Sequence, residues 1–269
     1  VNRLITQSQL EIIDRQLGER DKAILHSILL CRYIMSKQIQ RLHFTDSASQ
    51  SAALRVTQRV LVRLKSYDLI EHLERRIGGV RSGSGSYVWA LTDKGYRLLH
   101  LNEDSNRSRK RFYEPSPAFL EHTLAIAETY LQLIETCRAH KMELIKTEFE
   151  PKCWRGYTDI DSKPATLKPD LFAITASGDY EDCWFIEVDL STESPGKILD
   201  KCKRYAHYYR SGAEQKKTGV FPRTVWLVPN NHRKDSLQRN ISECRELHPK
   251  SIFSVITPEQ FSTLLTQQN

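Results

Sequence analysis

Three carboxylates in the second half of the chain, Asp170, Glu187 and Asp189, stand where they can act together. Asp170 follows Pro169 at the head of an apolar stretch, Leu171-Phe-Ala-Ile174, and Glu187 and Asp189 close another, Cys183-Trp-Phe-Ile186. Strand side chains repeat every two residues, so Glu187 and Asp189 are expected on one face. If the two stretches pair as a hairpin, all three carboxylates meet at one edge of a sheet, and their repulsion needs an answer. Either a hard cation such as Mg²⁺ or Mn²⁺ neutralises them, or one of them is protonated. The plainer alternative is ion pairing with the next helix, which offers Lys201 and Arg204. Lys197 is on the same helix, and Tyr205 lies one turn beyond Lys201. A divalent ion held there could activate a water for attack on a phosphodiester.

A second group of residues suits nucleic acid. Residues 48–67 carry Ala53, Val56, Val60, Leu61 and Leu64 at helical spacing, and the other face carries Arg55, Gln58, Arg59, Arg63 and Lys65. A helix with one apolar and one basic-polar face packs on a core and still enters a major groove. Further on, Gly78 to Ser86 holds Arg81 among glycines and serines. Such a tip approaches a DNA backbone or minor groove without steric penalty. Charge agrees with this placement. Residues 1–113 hold 20 Lys and Arg against 11 Asp and Glu, a balance of +9, while 114–269 hold 20 against 22, a balance of −2. The basic excess is confined to the first part, which favours a nucleic-acid-binding module joined to a near-neutral domain. A solvated basic surface is the plain alternative.

Composition narrows the class. With 39% hydrophobic and 27% charged residues, the chain reads as an ordinary globular protein. No apolar run approaches a membrane span and no leader is visible, so a cytoplasmic location is expected. The six cysteines, Cys31, Cys137, Cys153, Cys183, Cys202 and Cys244, are spread singly, without the spacing of a zinc site, and are expected as reduced thiols.

The elements that must position these residues fall into two domains. In residues 1–101, helices are expected over 18–35, Lys37–His43 and 48–67, then strands over 69–74 and 87–91 flanking the Gly/Ser tip, then a helix from Thr92. Residues 102–116 are polar, turn-rich and basic (Arg107, Arg109, Lys110, Arg111) and read as a linker. In 117–269 the expected order is a helix over 117–140, strands over 142–149, 167–174 and 183–189, a helix over 195–210, a strand over 224–228, a helix over 232–246 and a strand over 251–256. The fold class is a two-domain α+β, α/β chain.

Three helices followed by a hairpin resemble a winged helix-turn-helix, and Leu91-Thr-Asp-Lys-Gly95 after the second hairpin strand strengthens the resemblance. The second domain, with Pro169-Asp170 and Glu187-Val-Asp189, resembles the restriction-endonuclease-like PD-(D/E)xK fold. That resemblance implies metal ligation by Asp170 and Glu187. It also implies a lysine at position 189, where this chain has Asp, or one moved to the next helix, where Lys197 and Lys201 are available. The whole arrangement, with Glu121-His-Thr-Leu-Ala-Ile-Ala-Glu128 between the two, is similar to the replication-relaxation family of plasmids and integrative elements. The resemblance implies a protein that binds double-stranded DNA in the replication, transfer or maintenance of a mobile element, with a nuclease-like domain. A Mg²⁺-dependent endonuclease is the second reading. The third is a transcriptional repressor whose C-terminal domain forms a homodimer or binds a ligand.

Overall fold

The computed structural model of the chain describes residues 6–74, 86–101, 114–159 and 162–267. The chain forms two compact units, Val1–Leu131 and Gln132–Asn269. No described helix is long and apolar enough to cross a membrane, and all six cysteines are free.

The first unit opens with α1 (Gln7–Gln16), capped by a reciprocal pair of hydrogen bonds between Thr6 and Gln9. The sequence reading had no helix there, because the residues between Gln7 and Gln16 bury only Leu10. Helix α2 (Glu19–Cys31) buries Ile24, Leu25 and Ile28 completely. It ends four residues earlier than expected because Ile34 and Met35 leave the helix to form strand β1 (Ile34–Met35). Helices α3 (Ser36–His43) and α4 (Gln50–Ser66) follow, α4 capped by the Ser49 hydroxyl. Strands β2 (Ile70–His72) and β3 (Val88–Leu91) complete a three-stranded sheet in the order β1-β3-β2, antiparallel throughout. Arg81 and most of the expected tip lie outside the described residues, as does the basic cluster at 107–111.

The Leu91-to-Gly95 stretch has a mechanical explanation. Thr92 caps α5 (Asp93–Leu99) by accepting from the Gly95 N–H, and its hydroxyl donates to the Asp68 carbonyl at 2.6 Å. That draws the start of α5 onto the turn before β2. A Cβ at Gly95 would stand 2.0 Å from the Leu69 carbonyl oxygen, so only glycine fits.

Helix α6 (Pro117–His140) is continuous, but its first half belongs to the first unit. Leu120 and Leu124 pack with Tyr33, Leu73, Val88 and Ala90. The Gln38 amide donates to Glu128 at 3.0 Å, and Arg41 pairs with Glu128 at 2.6 Å. The units therefore divide inside α6, whereas composition placed the boundary at 102–116. A change in polarity marks where the chain stops burying itself locally. It does not reveal that the next helix returns to the same core.

The second unit is built on a five-stranded mixed sheet in the order β10-β9-β8-β7-β4. Strands β4 (Glu143–Phe149), β7 (Leu171–Ser177) and β8 (Tyr180–Val188) form an antiparallel meander, with Gly178 at positive φ in the turn between β7 and β8. Strands β9 (Arg223–Leu227) and β10 (Phe253–Ile256) add in parallel to β8. Parallel strands need crossovers. Helix α7 (Pro195–Ser211), followed by α8 (Ala213–Thr218), supplies the first, and α9 (Asn231–Glu243) the second. Ile198, Cys202 and Ala206 of α7 share a core with Leu237 and Ile241 of α9 and with Trp226, Val228 and Val255. The segment between the expected strands 142–149 and 167–174 contains a hairpin, β5 (Arg155–Thr158) with β6 (Pro164–Leu167). A last helix, α10 (Pro258–Thr266), buries Phe261 and Leu265.

Candidate functional site

Register brings the first two carboxylates together. Leu171 of β7 faces Ile186 of β8, so one more step of the ladder sets Asp170 across from Glu187. Pro169 lacks an N–H and ends the ladder there. Asp170 Oδ2 accepts the Val188 N–H at 2.8 Å, which fixes its carboxylate against β8. Glu187 is fully buried and Asp170 nearly so.

Helix α7 crosses this point with Lys201 and Tyr205, one turn apart. The Tyr205 hydroxyl donates to Glu187 Oε1 at 2.5 Å. Lys201 Nζ lies 2.5 Å from Glu187 Oε2 and 3.9 Å from Asp170 Oδ1, and it also sits 5.6 Å from the centre of the Trp226 ring. The lysine thus enters between the two carboxylates and stays partly open to solvent. Lys197 and Arg204, the other cations considered on this helix, are exposed.

The third carboxylate does not join them. Asp189 follows the last residue of β8, and Arg233 of α9 takes its side chain with contacts of 2.6 and 3.2 Å. Arg233 also donates to the Glu193 carbonyl, so the pair ties the loop before α7 to the start of α9. The expectation that Glu187 and Asp189 act on one centre overlooked α9. Two helices cover this side of the sheet, and each supplies a cation to one carboxylate.

Burial dominates the electrostatics of the first pair. It pushes the Glu187 carboxyl up to about 8, against the pull of Lys201. Burial works to lower Lys201, but the two carboxylates outweigh it and hold the ammonium above its ordinary range. Burial likewise raises the Tyr205 phenol, which stays a donor. A divalent cation does not fit this arrangement. Lys201 occupies the space between the carboxylates and Asp189 is committed to Arg233, so neither leaves room or charge for a hard ion. Among the described residues, no group of three His, Cys, Asp or Glu is placed to hold a metal.

In the first unit, α4 buries Ala53, Thr57, Leu61 and Leu64. Val56 and Val60, expected in that stripe, are half-buried at its edges, and Thr57 takes the inner position by donating to the Ala53 carbonyl. Arg55, Gln58 and Arg59 are exposed as expected, with no ion pair among the described residues. Arg63 differs. Its guanidinium pairs with the buried Asp21 of α2 at 2.5 Å, so it serves the fold of this unit.

Other buried partners were not singled out from sequence. Arg155 of β5 pairs with Glu148 at 3.0 Å and with Glu214 at 3.3 Å, and the Tyr208 hydroxyl donates to Glu214. Nothing local to Glu214 distinguishes it from a solvated helix residue. The Asn230-Asn231 helix start was the available signal for Arg233, because it places Arg233 in the first turn of α9.

No curated protein matches the chain. The structure of restriction endonuclease FokI bound to DNA is similar over 91% of this chain and 43% of that chain, with 14% identity and a TM-score of 0.27. A score that low carries no inference about fold or function, and the chain spans less than half the length of that protein. Residues 25–224, which run from α2 through both carboxylates and Lys201 into β9, match the family described as Replication-relaxation. The chain belongs to the replication-relaxation family.

Proposed function

We propose that the protein binds double-stranded DNA through α4, in the replication, transfer or maintenance of a mobile element. The carrying observation is the outer face of α4. Arg55, Gln58 and Arg59 stand exposed there on a helix with no Asp or Glu along its length. The unit around it supports this reading. The succession α2-β1-α3-α4-β2-β3, with sheet order β1-β3-β2, supports a winged helix-turn-helix, a motif whose recognition helix lies in the major groove. Titration of a labelled duplex at rising salt tests it. Affinity should fall linearly on a log–log scale, and Arg55→Ala and Arg59→Ala should each reduce the slope by about 0.9 where the residue meets a phosphate. Unchanged affinity and slope in both variants would remove α4 as the DNA contact.

For the second unit, the antiparallel meander continued by two parallel crossovers supports a restriction-endonuclease-like domain. A metal-dependent endonuclease is the second reading, and Lys201 favours it: the cation missing at position 189 reaches the carboxylates from α7. The poor fit for a divalent ion weighs against it. Nicking of supercoiled plasmid in Mg²⁺ or Mn²⁺, abolished by Asp170→Asn, would promote this second reading over the first.

A further inference from the structure

Two large apolar residues of α4 stand exposed, Leu54 at 38% and Val62 at 65%. Leu61 and Leu64, beside Val62 in sequence, turn inward. A β-branched residue is a weak helix former and offers water nothing to bond. Single exposed apolar residues are ordinary, so its position decides its meaning. At 3.6 residues per turn, Val62 lies about 20° from Arg55, about 40° from Gln58 and about 60° from Arg59 around the helix axis. Gln58 stands to one side of it and the two arginines to the other. Those three polar side chains have no hydrogen-bond or ion-pair partner among the described residues, and α4 has no carboxylate. Whatever covers Val62 also meets two free guanidinium groups, which fits a polyanion.

The major groove of DNA displays one apolar group, the C5-methyl of thymine. We propose that Val62 reads thymine, its side chain packing on that methyl while Arg55, Gln58 and Arg59 hold the flanking base edges and phosphates. The proposal rests on the reading that α4 enters duplex DNA, and it adds a residue that determines specificity.

The test uses the whole chain. Duplexes are selected from a random-sequence pool. The preferred duplex is then titrated by fluorescence anisotropy, each thymine replaced in turn by deoxyuridine, which keeps the pairing and removes the methyl. At one thymine the replacement should weaken binding by about fourfold, the equivalent of the ~0.8 kcal/mol of one buried methyl-sized group. Val62→Ala should lose a similar factor on the thymine duplex and no longer respond to deoxyuridine at that position, while Arg59→Ala still responds. An equal deoxyuridine effect in the parent and Val62→Ala overturns the proposal. So does a selection that returns no preferred sequence, or one without thymine. In those cases, salt-dependent binding that Arg55→Ala and Arg59→Ala weaken leaves the DNA contact of α4 standing, whereas binding indifferent to both arginines removes that contact too. Sedimentation equilibrium covers the other occupant: a dimer that Val62→Ala makes monomeric assigns this face to a second copy of the chain and overturns the proposal.

Discussion

Replacing Glu187 by Gln tests the balance at the carboxylate pair, because the amide keeps the shape and cannot ionise. Its oxygen can still face Lys201 and its N–H the Tyr205 oxygen. Burial raises the Glu187 carboxyl from 4.5 to about 8 in the folded chain. Between those values the folded chain holds a proton that the unfolded chain has released, so this group's contribution to stability falls as pH rises. At ~1.4 kcal/mol per unit, the parent should lose roughly 3–4 kcal/mol relative to Glu187→Gln between about pH 5 and about pH 8. In the variant Lys201 keeps Asp170 as its anion, and in the parent its own titration lies outside this range. A lysine raised above 10.5 contributes stability that is fully present below that value and is lost only as pH rises beyond it. Urea unfolding of both proteins across this range measures the difference, and titrations they share cancel. Parallel profiles, or a parent that gains on the variant as pH rises, would refute the reasoning. Either would mean that the attraction of Lys201 at 2.5 Å exceeds the cost of burial and that Glu187 folds as an anion.

Other perturbations bear on the scaffold around the two sites. Gly95→Ala forces a Cβ onto the Leu69 carbonyl at 2.0 Å, and calorimetry should show a loss of about 3 kcal/mol or more, since backbone must move to relieve it. Asp189→Asn leaves Arg233 without its anion where both groups are mostly buried; a loss of roughly 3 kcal/mol is expected by urea unfolding, and a neutral result would mean the pair is open to water. Arg63→Ala strands the buried Asp21 and should lower the melting temperature, whereas Arg59→Ala, on the exposed face, should leave it unchanged.

How legible each feature was in the sequence depended on how local its cause is. Helices α3, α4 and α6 and strands β7 to β10 follow from periodicity and caps within a few residues. The nearness of Asp170 and Glu187 was legible too, because a tight Gly178-Asp179 turn fixes a hairpin's register and a proline marks its end. Helix α1 and the β5–β6 hairpin were missed because neither shows an apolar periodicity: α1 buries only Leu10, and the buried residue of β5 is the charged Arg155, answered by Glu148 and Glu214. Partners far apart in sequence were the least legible. Asp21 with Arg63, and Asp189 with Arg233, are each joined across more than 40 residues, and nothing in either segment names the other.

The same locality explains why the carboxylate triad dissolved into two pairs. Period-two alternation correctly places residues 187 and 189 on related positions, but it is blind to what crosses above a strand. Helices α7 and α9 pack side by side over this side of the sheet, and the end of β8 runs beneath both. Each carboxylate is therefore answered by a nearby cation, Glu187 by Lys201 and Asp189 by Arg233. Removing Lys201 alone would leave Glu187 buried without its cation, and a buried carboxyl so placed takes up a proton more readily than it recruits an ion from water. Loss of the lysine therefore raises the carboxyl further and does not by itself open a metal site. Charge balance in this unit is set by the packing of two helices, since Lys201 comes from α7 and Arg233 from α9.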